Sequence, residues 1–571
     1  MAFFALVAVS TGASGCTIAL KSDKFQCTTD LDCTSRGGAF RQTFCSKDSV
    51  CVDVTSTGCT SNEKCTAAKD GTPHICKQLG GPCVPVLSEE CSTLIPKNAK
   101  MKDNAILFAF TGLKTGSEAE AHRISYNMVE MGLTEVNASI AGLPGGPNGT
   151  SRPIIGLECD ETRNGTPDDE RVKRSYDHIV KDLGIQAVIT NSYSSTTVKV
   201  VDQYVKPYGI FLMPNLSLSP VISTLDDNGL VWRTSSPASA QGAAQAALVQ
   251  LVENKLRTQA TNPITGDIRV ALVTSTAVVF SSIADVIQDK LRFNNGKSPS
   301  QNGSNFKRLS HTAYNDDPNV DLAPVASELV AFRPHIIIAT DKGNDFWETN
   351  GKPKGIGPVV ESRWDPAQSR PIYVIASPTF EKSGDYVRNT ADAAKREDLR
   401  KRIVGVDQSF WNQNAFDNFT INYRGNYKTP EEDFVAKGLN NYVVEYDSIY
   451  ATIYAMYAAA QKNPGQPITG KAIAEAIPRL MSGDQRLVGP TDITQVTQQL
   501  AIGNSVDLQG IFSKLDFDLT TGDSPTETSV VCLEPFGSTL EWKFSALKWD
   551  RNANGGNGGL VGDQTSCSIF K

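Results

Sequence analysis

The stretch AVITNSYSSTTV, residues 187–198, joins a short apolar run to a loop rich in hydroxyl groups and to the start of a helical pattern. The run is apolar at successive positions, which is typical of a parallel strand covered on both faces. In open parallel sheets, ligands bind beyond the carboxyl ends of the strands, where helix N-termini favour anionic groups. This stretch therefore predicts a parallel α/β fold and marks a candidate ligand loop.

The same order of strand and helix recurs from Asn104 onward. We predict strands at 105–113, 152–159, 187–190, 209–214, 268–275, 335–340, 371–376 and 402–407. We predict helices at about 117–138, 169–183, 195–206, 239–258, 279–293, 322–333, 441–462 and 468–480. The alternation predicts parallel sheets with right-handed crossovers, and about 460 residues of it exceed one small doubly wound domain, so two lobes are expected.

Length and charge narrow the class of protein. The chain has 571 residues and a net charge of −7. Such a chain has no excess of positive charge with which to bind the phosphate backbone of a nucleic acid, so no nucleic-acid partner is expected. Apart from the N-terminal stretch, the sequence has no uncharged apolar run of ~18 residues, the length that a membrane-spanning helix needs.

The N-terminus reads MAFFALVAVSTGASGC, an apolar stretch followed by small residues and Cys16. This pattern predicts a signal peptide at 1–15 and resembles a bacterial lipobox, in which Cys16 is lipidated and residues 16–26 form a tether. The usual Leu three residues before the Cys is Ala13, and a basic start is missing. The alternative is an ordinary signal peptide, with Cys16 as a disulfide partner.

Thirteen cysteines are present, and those between residues 27 and 91 are spaced as a repeat. The first module follows C-x5-C-x11-C-x5-C and the second follows C-x5-C-x10-C-x6-C. The module cysteines are Cys27, Cys33, Cys45 and Cys51, then Cys59, Cys65, Cys76 and Cys83. So short a segment needs disulfides or a bound metal to fold. Zinc usually requires ligand pairs that are closer in sequence than these cysteines, so we predict two disulfides in each module. The spacing leaves three connectivities open for each module.

Four cysteines remain outside the two modules: Cys91, Cys159, Cys532 and Cys567. Because their number is even, we expect the two early ones to pair with each other and the two late ones to pair with each other. The concentration of cysteines favours an oxidising compartment. We therefore assign 27–91 to a disulfide-rich region that precedes the α/β body.

Several polar loops, taken in order, carry a family resemblance. They are FTGLKTG, PIIGLECDETRN, AVITNSYSSTTV, GIFLMPNLSLSP, VWRTSSPASAQGAAQA, NNYVVEYDSIYATIYAMYAA and LDFDLTTGD. Over about 104–550 the chain resembles type I periplasmic binding proteins, the leucine/isoleucine/valine-binding class of ABC transporters. The resemblance implies two Rossmann-like parallel-sheet lobes joined by three crossovers, near Arg233, Val406 and Gly510. Lobe one is then 104–233 plus 407–510, lobe two is 234–406 plus 511–550, and 551–571 is a Gly-rich tail.

The resemblance also implies ligand contacts. A ligand carboxylate would meet hydroxyls and backbone amides at Ser194, Ser195, Thr196, Leu216 (backbone) and Ser217. Simple N-capping of the following helix is the alternative for Ser194 and Ser195.

In lobe two, the resemblance implies contacts at Phe280, Asp341 and Ser377. A core Phe and a solvated loop Asp are the alternatives for the first two. Relatives place a Glu where this chain reads SPTFEK, and this departure weakens any assignment of amino-acid specificity.

The chain is therefore interpreted as a bacterial, extracytoplasmic solute-binding lipoprotein of the cell envelope. It would capture a small polar solute, such as an amino acid or a related carboxylate, and deliver it to an ABC permease. The alternative is a ligand-sensing receptor or regulatory subunit of the same fold that is not coupled to transport. No nucleophile–base constellation predicts an enzyme, and no cofactor is expected. No metal site is expected either, because none of the five histidines pairs at metal-ligand spacing.

Overall fold

The computed structural model describes most of the chain. The described residues are 26–37, 40, 43–45, 49–53, 58–146, 149–313, 319–349, 354–377, 379–427, 442–556 and 558–571. The predicted signal peptide at 1–15 and the predicted lipidation of Cys16 lie outside them. The chain divides into two compact units, Met1–Val86 with Met101–Asp103, and Leu87–Lys100 with Asn104–Lys571.

The N-terminal unit is built from two disulfide-linked modules. Its elements are α1 (Asp30–Thr34), β1 (Thr43–Cys45), β2 (Cys51–Asp53), α2 (Asn62–Ala67), β3 (His74–Ile75) and β4 (Val84–Pro85). The strands form two antiparallel pairs, β1 with β2 and β3 with β4. The disulfides are Cys27–Cys45, Cys33–Cys51, Cys59–Cys76 and Cys65–Cys83. Both modules thus join their first cysteine to the third and their second to the fourth, which selects one of the three connectivities that the spacing allowed.

The second unit contains two sheets and the helices that cover them. Its strands are β5 (Thr93–Ile95), β6 (Ile106–Gly112), β7 (Ile154–Asp160), β8 (Thr162–Arg163), β9 (Thr166–Pro167), β10 (Ala187–Thr190), β11 (Phe211–Met213), β12 (Val270–Ser275), β13 (Phe306–His311), β14 (Ile336–Thr340), β15 (Ile372–Ala376), β16 (Ile403–Ser409), β17 (Asp484–Leu487), β18 (Val506–Gln509), β19 (Glu527–Phe536), β20 (Thr539–Asp550) and β21 (Gly559–Val561). Its main helices are α3 (Ala119–Ile140), α4 (Asp169–Tyr176), α5 (Ser194–Val200), α6 (Lys206–Tyr208), α7 (Ala238–Thr258), α8 (Val278–Lys290), α9 (Pro299–Asn302), α10 (Ala323–Phe332), α11 (Gly343–Trp347), α12 (Ile356–Arg363), α13 (Phe380–Arg388), α14 (Ala393–Arg400), α15 (Gln413–Tyr427), α16 (Val444–Lys462), α17 (Gly470–Ala476) and α18 (Ile493–Ala501).

The first sheet, with the helices packed on it, forms lobe one. Its strand order is β11-β10-β6-β7-β5, and all neighbours are parallel except β5, which runs antiparallel to β7. The disulfide Cys91–Cys159 links the segment before β5 to β7. The early cysteine pair expected from the sequence is therefore present, and β5 adds an edge strand that the apolar pattern did not predict.

The second sheet forms the centre of lobe two. Its order is β13-β12-β14-β15-β16-β19-β20-β21, parallel from β13 to β16 and antiparallel thereafter. Successive residues of β12 alternate between two buried apolar clusters, with Val270 and Leu272 on one face and Ala271 and Val273 on the other. Burial of one such large side chain contributes about 1.5–3 kcal/mol. The sheet is thus covered on both faces, as the nearly continuous apolar runs predicted.

Two sequence predictions about the end of the chain are wrong. Residues 551–571 are not only a Gly-rich tail, because β21 pairs with β20 and Cys567 forms a disulfide with Cys532. Lobe two therefore continues beyond residue 550. The apolar pattern missed β21 because this strand is three residues long and lies among glycines, whereas the pairing of Cys532 with Cys567 is the one expected from the sequence.

The chain passes between the lobes three times. The predicted boundary at residue 407 falls inside β16, which remains in the lobe-two sheet as far as Ser409. The return to lobe one follows at Trp411 and Asn412, whose N–H groups donate to the carbonyls of Phe512 and Ile511. These two carbonyls belong to the third passage, which lies between β18 and β19. None of the described helices is both long and apolar enough to span a membrane.

Candidate functional site

Three strands of lobe one, β6, β10 and β11, end at the same edge of their sheet because they are parallel neighbours. The loops that follow them carry the hydroxyl groups singled out in the sequence. Helix α5 begins at Ser194, and its N-cap residue Tyr193 makes no side-chain capping bond. The first N–H groups of a helix have no partner within it. This edge therefore offers backbone donors beside hydroxyls, although Ser194 and Ser195 do not cap the helix.

The hydroxyl groups of Ser217 and Ser194 bond to other groups of the same two loops. Ser217 is fully buried, and its Oγ donates to the Ser192 carbonyl at 2.9 Å and lies 2.6 Å from Thr197 Oγ1. Ser194 Oγ accepts from the backbone N–H of Ser219 at 3.2 Å. Ser217 and Ser194 thus join the loops after β10 and β11 into one wall.

The other predicted contacts of lobe one differ in exposure. Thr196 is buried, Ser195 is exposed and Leu216 is half-buried. Of these three residues, only Ser195 is exposed. The exposure differs because each residue takes a different direction on the first turn of α5 or in the loop after β11.

Lobe two meets this wall through a lysine that the sequence analysis did not select. Lys342 follows β14, and its Nζ lies 3.2 Å from Glu118 Oε1 and 3.3 Å from the Tyr193 hydroxyl of lobe one. Tyr193 in turn donates to Glu118 Oε1 at 2.9 Å, and the Lys342 ammonium lies 5.0 Å from the centre of the Tyr193 ring. We call these three side chains, which link lobe two to lobe one, the cleft cluster.

Electrostatics in the cleft cluster follow from partial burial. Burial lowers the pKa of Lys342, but the Glu118 carboxylate and the Tyr193 hydroxyl more than offset this, so that the pKa is raised above its usual value. Burial also raises the pKa of Tyr442, and the negative charges of Glu118 and Glu381 add to this shift. Tyr442 therefore lies within electrostatic range of the cleft cluster. Lys342 remains a cation and Tyr442 a neutral hydroxyl at neutral pH.

The lobe-two residues selected from the resemblance are placed differently from what was expected. Phe280 lies in the apolar core of lobe two, 6% exposed, which is the alternative that the sequence had left open. Asp341 is 1% exposed, so it is neither a solvated loop residue nor a group on the cleft surface. Its carboxylate pairs with His311 instead. Ser377 follows β15 and is half-buried.

The wall is fastened to the hinge by Arg233, which is 1% exposed in the first crossover. Its NH1 donates to the carbonyls of Ser217 at 2.7 Å and Ser219 at 3.1 Å, and its Nε donates to Asp523 of the third passage at 2.7 Å. Ser219 also lies 3.3 Å, between hydroxyl oxygens, from Ser282 in α8 of lobe two. One guanidinium thus connects the loop after β11 to the segment on which the lobes would rotate.

Helix α16 supports the same region through two buried acids. Asp447 accepts from the N–H groups of Ile511 at 2.8 Å and Phe512 at 2.9 Å, in the third passage. Glu445 accepts from Asn215 Nδ2 at 2.9 Å, and full burial raises its pKa to about 8. These contacts attach both the loop after β11 and the third passage to α16.

Comparison with solved structures identifies the fold. A periplasmic binding protein type 1 from Bordetella pertussis Tohama I matches with a TM-score of 0.52 and 16% identity, covering 77% of this chain and 100% of that one. A solute binding protein of an ABC transporter from Rhodopseudomonas palustris BisB5, in complex with 3,4-dihydroxy benzoic acid, matches with a TM-score of 0.51 and 11% identity, covering 78% and 98%. No protein-family model and no curated protein sequence matches the chain. At these identities the likeness shows the fold, which is that of type I periplasmic binding proteins.

Proposed function

We propose, from the type I periplasmic binding protein fold of this chain, that it captures a small polar solute between its lobes and delivers it to an ABC permease. The single observation that carries the proposal is the cleft cluster, in which Lys342 of lobe two reaches Glu118 and Tyr193 of lobe one. A solute held there would contact both lobes at once. Binding would then favour the closed arrangement, because only that arrangement supplies both sets of contacts.

The charges of the cleft cluster support one class of solute. Lys342 and Glu118 present opposite charges to each other, with side chains 26% and 30% exposed. A molecule that carries a carboxylate and an ammonium group can replace each partner with a matching charge, so the ion pair breaks without leaving an unpaired group. We therefore propose an amino acid or a related carboxylate.

Groups around the ion pair suit the same solute. The N–H groups that begin α5, with Ser194, Ser195 and Thr196 beside them, would donate to the carboxylate. The backbone of Leu216 lies in the next loop of the same wall. The rings of Tyr193 and Tyr442 would cover apolar atoms of the solute and can face its ammonium group. Ser377, at the end of β15, remains a proposed contact from lobe two.

Anchoring is a separate part of the proposal. The short apolar start followed by small residues and Cys16 supports a lipidated N-terminus, which would hold the protein at a membrane surface of the bacterial envelope. The disulfide-linked modules, rich in half-cystines, agree with an oxidising extracytoplasmic compartment.

The decisive experiment is a thermal-shift screen of the oxidised protein, followed by calorimetry on the compounds that shift the midpoint. The panel contains amino acids, dicarboxylates, hydroxybenzoates, polyamines and sugars at about 1 mM, where a micromolar ligand adds roughly 3–4 kcal/mol of stability. We expect a compound with both an ammonium and a carboxylate to raise the midpoint by several degrees.

Matched variants separate the cleft cluster from general effects of charge. Lys342→Met and Glu118→Gln should each weaken binding by at least tenfold, because one charge of the solute loses its partner. The control is Lys471→Met, which removes a lysine that is 80% exposed on α17. Equal affinity of the wild type and Lys342→Met would contradict the proposed site, and no shift with any compound would contradict solute capture.

A further inference from the structure

A cavity of about 230 Å³ lies in lobe two, between α7 and the strands β20 and β21. Ala247 of α7, Trp549 of β20 and Leu560 of β21 belong to its lining, together with Lys290. Lys290 is the last residue of α8, which begins after the carboxyl end of β12 and runs back along the sheet. The cleft lies beyond the carboxyl ends of the strands, so this cavity lies towards the opposite end of the sheet. It is therefore separate from the place proposed for the solute.

The segment that follows β20 fixes the indole of Trp549. Trp549 and Leu560 are paired across β20 and β21, and both pack against the apolar core of lobe two. Gly558 has a φ of +78°, and a Cβ at this position would lie 2.2 Å from Trp549 Cη2, so only glycine fits beside the ring. The Gly558 carbonyl accepts from Asn554 Nδ2 at 3.0 Å, which holds this turn. The indole is thus held in place as one wall of the cavity.

Small side chains on α7 leave the space of the cavity open. Ala243 and Ala247 are one helical turn apart and both line the cavity, and Leu251 continues the same row. An apolar cavity of about 150 Å³ can hold benzene. A cavity of about 230 Å³ therefore has room for one six-membered ring.

Three exposed carboxamide side chains also line the cavity. They are Gln250 and Asn254, one turn apart on α7, and Gln564, which follows β21. None of these three carboxamides has a side-chain hydrogen bond to another of the described residues, and each can both donate and accept. None of the described residues that line the cavity is acidic, and Lys290 is the only charged one among them. The cavity thus offers hydrogen bonds to hydroxyl groups but no partner for an ammonium group.

We propose that this cavity binds one pyranose ring of a saccharide. A pyranose has an apolar face of C–H groups, which would pack on the Trp549 indole, a large apolar surface. Its hydroxyl groups would donate to and accept from the carboxamides of Gln250, Asn254 and Gln564. These hydroxyls point to several sides of the ring and the carboxamides come from two different elements, whereas the polar groups of a flat aromatic base lie in one plane. A monosaccharide in solution and the terminal residue of a glycan share this ring. The proposal does not depend on the proposed solute.

The test uses the full oxidised chain and saturation-transfer NMR, which detects weak ligands. The panel contains glucose, galactose, N-acetylglucosamine and glucuronate, the linear tetrasaccharides of glucose and of N-acetylglucosamine, and adenosine as a flat aromatic ring. We expect at least one saccharide to bind with a dissociation constant of about 1 mM or lower. A tetrasaccharide that binds more tightly than its monomer identifies a glycan as the source, and equal affinity identifies the single sugar; both results support the proposal. Binding of adenosine alone, or of no compound, would overturn it.

Variants of the lining locate the bound sugar. Trp549→Ala removes the wall on which the ring packs and should abolish binding. Ala247→Leu fills part of the cavity while the indole stays, so it should weaken binding without removing a core side chain. The double variant Gln250→Ala with Asn254→Ala changes only exposed side chains and should weaken binding by roughly tenfold or more, because hydrogen bonds are lost. Wild-type affinity in either Ala247→Leu or the double variant would overturn the proposal.

Two further variants serve as controls. Gln498→Ala removes an exposed carboxamide from α18 of lobe one and should leave sugar binding unchanged. Lys342→Met alters the cleft cluster and should also leave sugar binding unchanged. Loss of sugar binding in Lys342→Met, with binding retained in Trp549→Ala, would place the sugar in the cleft and overturn the proposal.

Discussion

Arg233 and Asp523 form a buried ion pair that joins the first passage between the lobes to the third, with Nε 2.7 Å from Oδ1. Their backbones also pair as neighbouring parallel segments. Because the same guanidinium donates to the carbonyls of Ser217 and Ser219, the hinge and the wall of the cleft share one anchor. If the lobes rotate about this segment, the loop after β11 should keep its position relative to Arg233.

Removal of Arg233 is expected to destabilise the protein strongly. Arg233→Ala leaves Asp523 buried without its partner, and such breaks cost about 3–5 kcal/mol. The measurement is urea unfolding at neutral pH. The control is Arg123→Ala, whose partner Glu120 is exposed, and there the loss should stay below about 1 kcal/mol. Similar losses in both variants would show that Arg233 has no special structural role.

The stability of the protein should fall as the pH rises towards 8 because of Glu445. Its pKa is raised from 4.5 to about 8, so between these values the native state keeps a proton that the unfolded state has lost. Stability then decreases with pH by at most about 1.4 kcal/mol per unit across that window. Asp447, with a pKa of about 7, adds a slope of the same sign.

Glu445→Gln isolates the contribution of Glu445. The amide retains an oxygen for Asn215 and cannot ionise, so the variant should gain stability relative to the wild type as the pH rises from 5 to 8. Unfolding midpoints over this range test the prediction. Glu475→Gln, at a site 51% exposed, should show no such trend. Parallel curves for Glu445→Gln and the wild type would mean that Glu445 is ionised in the native state.

The disulfide at the end of the chain should stabilise lobe two. Cys532 and Cys567 are 35 residues apart, and a loop of this length is worth about 3–4 kcal/mol in the chain-entropy account. The double substitution Cys532→Ala and Cys567→Ala should lower the unfolding midpoint of the oxidised protein. After reduction of all disulfides, the gap between the variant and the wild type should close. An unchanged midpoint under oxidising conditions would show that the last residues contribute nothing to the stability of lobe two.

Gly510 and Gly425 should respond in opposite ways to substitution by Ala. A Cβ on Gly510 would lie 2.5 Å from Asp447 Oδ2 and 2.6 Å from the Ser513 carbonyl, so Gly510→Ala should cost about 1–3 kcal/mol. Gly425 lies in α15 with open space around it, so Gly425→Ala should stabilise by roughly 0.5–1 kcal/mol. Denaturant unfolding measures both effects. Tolerance of Gly510→Ala would show that the third passage can shift away from α16.

The ion pair of the cleft cluster should hold the lobes together without solute. Glu118→Lys places two cations opposite each other and should open the lobes, which increases the radius of gyration in small-angle scattering. The double variant Glu118→Lys with Lys342→Glu restores opposite charges and should recover the wild-type value. If the single and double variants scatter alike, the ion pair does not govern closure.

The sequence predicted the fold because its signals are local. The apolar runs at 187–190 and 335–340 were found as strands because a strand covered on both faces needs apolar side chains at successive positions. The strands β13 and β21 were missed since edge and short strands are only partly covered. The repeated cysteine spacing indicated disulfides, and this signal is also local, because a short segment cannot form a sufficient apolar core without cross-links.

The roles of individual side chains could not be obtained from the sequence. Ser217 and Asp341 stand in loops that end parallel strands, where a ligand contact and a structural contact have the same pattern. Only the tertiary structure turns Ser217 towards Ser192 and Asp341 towards His311. Lys342 carries no local signal, because its partner Glu118 lies in the other lobe. Alternation of strand and helix therefore determined the architecture, whereas distances between groups far apart in the chain depend on how the lobes and their loops pack.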